Sequence, residues 1–261
     1  MDLEGAVVII TGSSSGVGAA CARQCAEQGA HVAINYAGNR AGAEATQAAC
    51  EALGVETLVQ QADVANDADC QALAAAALER WGRIDGLVNN AGTTKFCAHH
   101  DLDGLDADDF QRIYAVNTVG AFQMARAVAP AMRQGGRGSI VNVASIAGVM
   151  GVGSSIAYAA SKGAMITMAL SLARVLGPEI RVNTVCPGFI QGDWLREGMG
   201  ETVYDKVKAD LEASAPLRAT ATADTVAEGI LMFLSGPSVV TGETLLLDGG
   251  HHLNQMAFGR R

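Results

Sequence analysis

Short apolar runs rich in valine and isoleucine alternate with longer alanine-rich stretches from the first residues almost to the last. Runs of a few β-branched residues bounded by turn formers read as strands, and longer alanine-rich segments read as helices. Strands are predicted at Ala6 to Thr11, His31 to Asn35, Val55 to Gln61, Gly86 to Asn89, Ser139 to Val143, Arg181 to Cys186 and Glu243 to Leu247. Helices are predicted at Val17 to Gln28, Arg40 to Leu53, Asp67 to Trp81, Ala107 to Arg133, Ser155 to Leu176 and Ala223 to Leu234. Strict strand-helix alternation implies parallel units, and continuously apolar strands imply a sheet covered on both faces. The expected fold class is therefore α/β, a doubly wound parallel sheet of seven strands forming a single domain over residues 1–261. The rhythm breaks only between Pro187 and Pro216, where Trp194, Leu195, Met199 and Tyr204 stand in a mixed segment after a strand end. Open α/β sheets bind ligands at such ends, so residues of about 188–216 are a candidate substrate lid, with a surface helical hairpin as the plain alternative.

Composition narrows the partners. A chain that is 49% hydrophobic and 17% charged is a compact globule. A net charge of −9 opposes a nucleic acid or an anionic membrane as the main partner. No stretch approaches the roughly eighteen consecutive apolar residues of a membrane span. The amino terminus, Met1-Asp2-Leu3-Glu4-Gly5, is acidic and runs directly into a strand, so cytoplasmic residence is expected. Cys21, Cys25, Cys50, Cys70, Cys97 and Cys186 are scattered and read as free thiols packed as small apolar groups. His99-His100 and His251-His252 lie far in sequence from other ligand types and read as loop residues, so no metal is expected.

The first strand delivers the chain to Thr11-Gly12-Ser13-Ser14-Ser15-Gly16-Val17-Gly18, and a helix follows. Gly12 permits a tight turn, Gly16 lets backbone approach a pyrophosphate, and Gly18 lets the helix pack closely, leaving its amino terminus to receive negative charge. No lysine follows to make this a P-loop. The end of the second strand, Asn35-Tyr36-Ala37-Gly38-Asn39-Arg40, carries no acid to bond a ribose hydroxyl, and Arg40 could neutralise a 2′-phosphate. NADP(H) is therefore favoured over NAD(H).

Tyr158 and Lys162 stand four apart and share a helical face, with Ser145 thirteen residues upstream of the tyrosine. A phenol titrates near pH ~10 and a neighbouring cation lowers that value, so the trio reads as a proton-transfer site beside a dinucleotide. Singly, Ser145 could cap a loop, Asn117 could bond helix backbone, and Tyr158 with Lys162 could be an ordinary amphipathic pair.

Together these motifs, with Asp63-Val64, Asn89-Asn90-Ala91-Gly92, Asn117, Pro187-Gly188 and Asp248-Gly249-Gly250, resemble the short-chain dehydrogenase/reductase family from Val7 to Gly250. The resemblance implies a Rossmann-like fold, with Tyr158 as general acid/base and Ser145 holding the substrate oxygen. Lys162 would lower the tyrosine pKa and bind the nicotinamide ribose, and Asn117 would complete a water-mediated proton relay. The cofactor site would comprise Gly12, Ser14, Ser15, Gly16, Val17, Asn35, Tyr36, Arg40, Asp63, Val64, Asn90, Ala91, Gly92, Tyr158, Lys162, Pro187, Gly188 and Ile190. Asp63 and Val64 would meet adenine, Asn90 the adjoining ribose, and backbone near Ile190 the carboxamide. Where the family often places a cofactor-contacting threonine two residues past Ile190, this chain has Gly192, which puts the grip at the lid in doubt. Asp248-Gly249-Gly250 is explained as well by a turn after the last strand.

The expected activity is interconversion of a ketone and a secondary alcohol on a small substrate. A 3-oxoacyl thioester on acyl carrier protein is the alternative within the class; an acidic chain with Gly177-Pro178-Glu179 before its sixth strand lacks the basic dock such a carrier needs. A catalytically silent nucleotide-binding protein is the alternative outside it. The resemblance also implies a homotetramer, for which the small residues Ala157, Ala159, Ala160, Gly163 and Ala164 permit close helix approach; a buried intrachain face is the other reading.

Overall fold

The structure, a computed structural model, describes residues 1–254. Seven parallel strands form one sheet: β1 (Val7–Ile10), β2 (His31–Tyr36), β3 (Thr57–Gln61), β4 (Gly86–Asn89), β5 (Gly138–Val143), β6 (Ile180–Pro187) and β7 (Thr244–Leu247). The order β3-β2-β1-β4-β5-β6-β7 winds outward in both directions from the β1/β4 pair. That reversal opens a crevice at the carboxyl ends of the strands. Every strand end lies within two residues of the sequence expectation.

The helices are α1 (Gly16–Glu27), α2 (Arg40–Glu51), α3 (Asp67–Trp81), α4 (Ala107–Tyr114), α5 (Gly120–Gln134), α6 (Ala147–Met150), α7 (Ile156–Leu176), α8 (Asp193–Met199), α9 (Glu201–Ser214) and α10 (Ala223–Ser235). Strand side chains alternate between two cores, as period two requires. Val8, Ile10, Val32 and Ile34 pack with α1 and α10, while Ile9, Ala33, Leu87 and Ile140 pack with α3, α5 and α7. Cys21, Cys25, Cys50, Cys70 and Cys186 are buried free thiols, and Cys97 is half-buried.

Three expectations change. The single helix expected from Ala107 to Arg133 is interrupted by a π-helical turn at Ala115–Val119, where one extra residue is wound into the helix with Asn117 at its centre. Such insertions re-aim a side chain at the cost of regular bonding. The short α6 after β5 was not anticipated by the pattern. Lastly, α7 does pass a membrane-span test of length and mean hydropathy, at 1.3 over an 18-residue window. It is a core helix: Ala157, Met165, Ala169 and Leu172 are buried against the rest of the fold.

Candidate active site

The crevice has a nucleotide side and a reactive side. On the first, β1 ends in a turn where Gly12 (φ +63°) and Gly16 (φ +52°) adopt left-handed backbone that favours glycine. A Cβ on Gly18 would lie 2.5 Å from the Gly12 carbonyl oxygen and 2.6 Å from the Asn90 amide nitrogen, so only glycine lets α1 sit this close. Asn39, Asn66, Asp106, Ser155 and Thr222 cap α2, α3, α4, α7 and α10 with their side chains. Ser15, at the start of α1, makes no such bond. The amides of α1 are thus left for an anion, and the open space beside Gly16 admits one. A dinucleotide pyrophosphate fits this cradle.

Asparagines brace the turn. Asn35 is buried; its Oδ1 accepts from Gly12 N at 3.0 Å and its Nδ2 donates to Ala62 O at 3.0 Å. Its side chain is therefore committed inward, where it supports the turn after β1. Asn90 Nδ2 likewise donates to Thr11 O and Gly12 O at 2.9 and 3.0 Å. Thr11 Oγ1 accepts from the amides of Asn90 and Ala91. Ser14 carbonyl and Asn39 crowd Gly42, which locks α2 to the same turn. At the β2 tip Tyr36 is buried, and Arg40, with 75% of its side chain exposed, pairs with Glu44 at 2.7 Å. Asp63 is exposed and accepts from Ala65 N, whereas Val64 is buried.

On the reactive side, β5 ends at Val143 and turns through Ser145 into α6. A Cβ on Gly148 would lie 2.5 Å from Gly163 N, so glycine on α6 lets this turn press against α7 and brings Ser145 to Tyr158. Ser145 Oγ accepts from Ala147 N at 3.1 Å. Lys162 is buried; its Nζ donates to Val143 O at 2.8 Å and lies 5.6 Å from the Tyr158 ring centroid. Asn117 is fully buried on the π turn, with Oδ1 accepting from Thr93 N at 2.8 Å and Nδ2 donating to Thr93 O and Ser161 Oγ. It ties the loop after β4 to α7. Gly92 sits between these groups, its Cβ direction 3.4 Å from Asn117 Oδ1 and 3.6 Å from Lys162 Nζ.

The electrostatics differ from expectation. Burial pushes the Tyr158 phenol up to about 12, with the Ser145 hydroxyl pulling it back. Burial also pulls the Lys162 ammonium down to about 8. The lysine does not lower the tyrosine here, because it lies over the ring face and donates to a carbonyl, while both groups have lost water that would stabilise charge.

Ser145 and Tyr158 open into a cavity of about 710 Å³, walled on one side by Pro187, Gly188 and Ile190 and roofed by α8 and α9. Gly192, before α8, has φ +153°, and Gly200, between the two helices, has φ +79°. Trp194 lies 6.2 Å from the Tyr158 ring and 5.9 Å from Phe96. Several lining residues, Phe96 among them, had no site role in the sequence reading. Asp248, read as a turn, faces Gly188 and accepts from Gly250 N, His252 N and His252 Nδ1. Burial would raise its carboxyl, yet those bonds outweigh burial and hold it below the usual carboxylate value. His251 lines the same cavity. The Asp-Gly-Gly sequence gave no sign of either, since only β7 and β6 together carry them to the site.

A family model described as Enoyl-(Acyl carrier protein) reductase matches residues 12–252. A protein of Streptomyces violaceoruber assigned as ketoacyl reductase 2 of the granaticin polyketide synthase is 38% identical over 250 residues, covering 96% of this chain and 97% of its own length. A crystal structure of a protein assigned to the short-chain dehydrogenases/reductases, from Burkholderia xenovorans, superposes with a TM-score of 0.88 at 40% identity, covering 95% of this chain and 98% of that one. A NAD+-bound xylitol dehydrogenase gives 0.87 at 30% identity, covering 96% of this chain and all of its own.

Proposed function

The chain belongs to the short-chain dehydrogenase/reductase family, and from that membership we propose that it interconverts a ketone and a secondary alcohol on a small substrate with NADP(H) in preference to NAD(H). That it is an NAD(P)-dependent oxidoreductase acting on CH–OH or keto groups follows from its relatives. The observation that carries the finer reading is the convergence of Ser145 and Tyr158 at one wall of a roofed cavity, with Lys162 set against the Tyr158 ring.

The nicotinamide, when bound, supplies or accepts the hydride. The chain's own groups handle the proton and the oxygen. Ser145 orients the substrate oxygen, and Tyr158 gives it a proton during reduction and takes one during oxidation. A phenol near 12 stays protonated through neutral pH, which suits proton donation. Lys162, held by the Val143 carbonyl and set over the Tyr158 ring, would hold the nicotinamide ribose. Asn117 positions the β4 loop against Lys162 from its π turn. The segment of residues 188–216 acts as the substrate lid of a single domain, and Gly192 serves as a hinge rather than a cofactor contact. Preference for NADP(H) is supported by the absence of an acid at Asn35-Tyr36 and by exposed Arg40, although Glu44 competes for that guanidinium.

A second reading has one observation behind it. The granaticin relative is named for a ketoacyl group, so a 3-oxoacyl thioester is the competing substrate; the net charge of −9 argues against docking an acidic carrier. Self-association into a homotetramer is supported by half-exposed Phe110, Tyr114 and Phe122 on the α4–α5 edge, and light scattering checks it.

The test is Tyr158→Phe. Turnover with a carbonyl panel should fall by about a thousandfold or more, while NADPH affinity by fluorescence titration stays unchanged. Full activity in that variant ends the proposal. Arg40→Ala should raise KM for NADPH and leave KM for NADH unchanged; equal effects on both would remove the cofactor preference. Because the phenol begins near 12, alcohol oxidation should climb steadily with pH above neutrality in the wild type.

A further inference from the structure

The polar inventory of the cavity points to its ligand. Among the described residues, no lysine or arginine lines the space between Ser145 and the lid helices. Arg196 and Lys208 on those helices are tied to Glu201 and Glu212. The other polar groups at the wall are already committed. Ser154 Oγ bonds Thr94 Oγ1 at 2.7 Å. Thr220 Oγ1 donates to Glu212 and accepts from Gln191 Nε2, each at 3.0 Å. Asp248 is occupied by His252 and two amides. What remains is the reactive pair, His251, the Trp194 indole N–H and an apolar surface dominated by Phe96, Trp194, Met199 and Leu211.

Resting on the oxidoreductase reading, we propose that the part of the substrate enclosed here is uncharged and apolar, an aryl or alkyl ketone or alcohol with one reacting oxygen. Trp194 and Phe96 form the wall that recognises it. A carboxylate or sulfonate inside the cavity would be a desolvated charge with no counter-ion, and a polyol would bury hydroxyls with no partners; both are costly. An aromatic or aliphatic body instead fills the space at no such cost and gains from the faces of Trp194 and Phe96. A thioester-borne acyl chain meets the same condition if its charged carrier stays outside, and the assay separates that source.

The experiment measures affinity by calorimetry on the full chain, with and without oxidised nucleotide, for benzylacetone, its para-carboxylate and xylulose. Turnover with NADPH is measured in parallel. Benzylacetone should bind about 100-fold more tightly than either polar ligand. Trp194→Ala should erase most of that difference without altering nucleotide affinity, and Val203→Arg, on the half-exposed rim, should recover about tenfold for the carboxylate. Equal or tighter binding of the carboxylate or of xylulose, or no binding of benzylacetone, overturns the proposal. Tight benzylacetone binding with no turnover of any ketone would keep the cavity assignment and remove the redox function. An acetoacetyl group offered on N-acetylcysteamine and on coenzyme A distinguishes a free from a carrier-borne apolar chain.

Discussion

The nucleotide side and the lid side of the crevice are built on opposite plans. On the nucleotide side, β1 is buried along its whole length, and Asn35, Asn90 and Thr11 each spend their side chains on loop backbone. Over the cavity, α8 buries no residue and α9 buries only Tyr204. The first region holds backbone amides in fixed positions. The second presents side chains on two helices, with glycines of positive φ before α8 and between α8 and α9, so it can change shape with few losses of packing. Rigidity sits at the glycine turn after β1, and adaptability at the helices that roof the cavity.

The sharpest way to break the comparison is to add one methyl group to the rigid side. In Gly18→Ala the new carbon meets the Gly12 carbonyl and the Ser13 backbone, neither of which can rotate away. Stability should drop by about 3 kcal/mol in urea titrations, the upper end for overpacking, and nucleotide affinity should fall with it. A variant as stable as wild type would show that this turn yields, and the contrast between regions would go.

Lys162, at the seam, makes the contrast a function of pH. Burial lowers its ammonium to about 8 from 10.5, so between those values the unfolded chain binds more protons than the folded one. Stability from this group is fully present above the unfolded value and is lost as pH falls through about 8. Removing the charge in Lys162→Met should therefore stabilise the protein near neutrality, by at most about 3 kcal/mol, and the advantage should vanish toward pH 10.5. Tyr158 acts in the opposite sense, its raised pKa contributing stability that is lost only as pH rises through about 12. Thermal midpoints of both proteins between pH 8 and 10 check the window; parallel curves would mean that the ammonium keeps its water.

The rigid side was also the legible one. Glycines at 12, 16 and 18 announce themselves because a single steric rule governs each, and the strands follow from local apolar pattern. Asn117, Ser145, Tyr158 and Lys162 could be singled out by motif, yet the devices that assemble them could not. The π turn under Asn117 depends on pairing with Thr93 and Ser161, and the Gly148–Gly163 contact joins two helices across a loop. The inward bonds of Asn35, to the Gly12 amide and the Ala62 carbonyl, join turns far apart in the chain and leave no mark in the local pattern. Replacing Asn35 tests that bracing role. Asn35→Ala leaves the Gly12 amide and the Ala62 carbonyl without their partner and should cost about 2 kcal/mol, with weaker nucleotide binding as the secondary effect. Loss of nucleotide binding at unchanged stability would instead return Asn35 to the cofactor.

On the adaptable side the corresponding methyl group should do much less. In Gly198→Ala the added carbon runs into the Phe96 ring on the loop after β4, a side chain that can turn rather than a backbone that cannot. Because α8 buries no residue and is flanked by glycines, it can shift outward and carry Trp194 away from Tyr158. Stability should change by less than about 1 kcal/mol, as for a site free to relax, and NADPH affinity should not move. KM for an apolar ketone should rise severalfold with kcat nearly constant, since the wall that grips the substrate opens while Ser145 and Tyr158 stay in place. If instead the same methyl lowers stability as much as Gly18→Ala does, α8 is held as firmly as the nucleotide turn and the division of labour between the two regions is wrong.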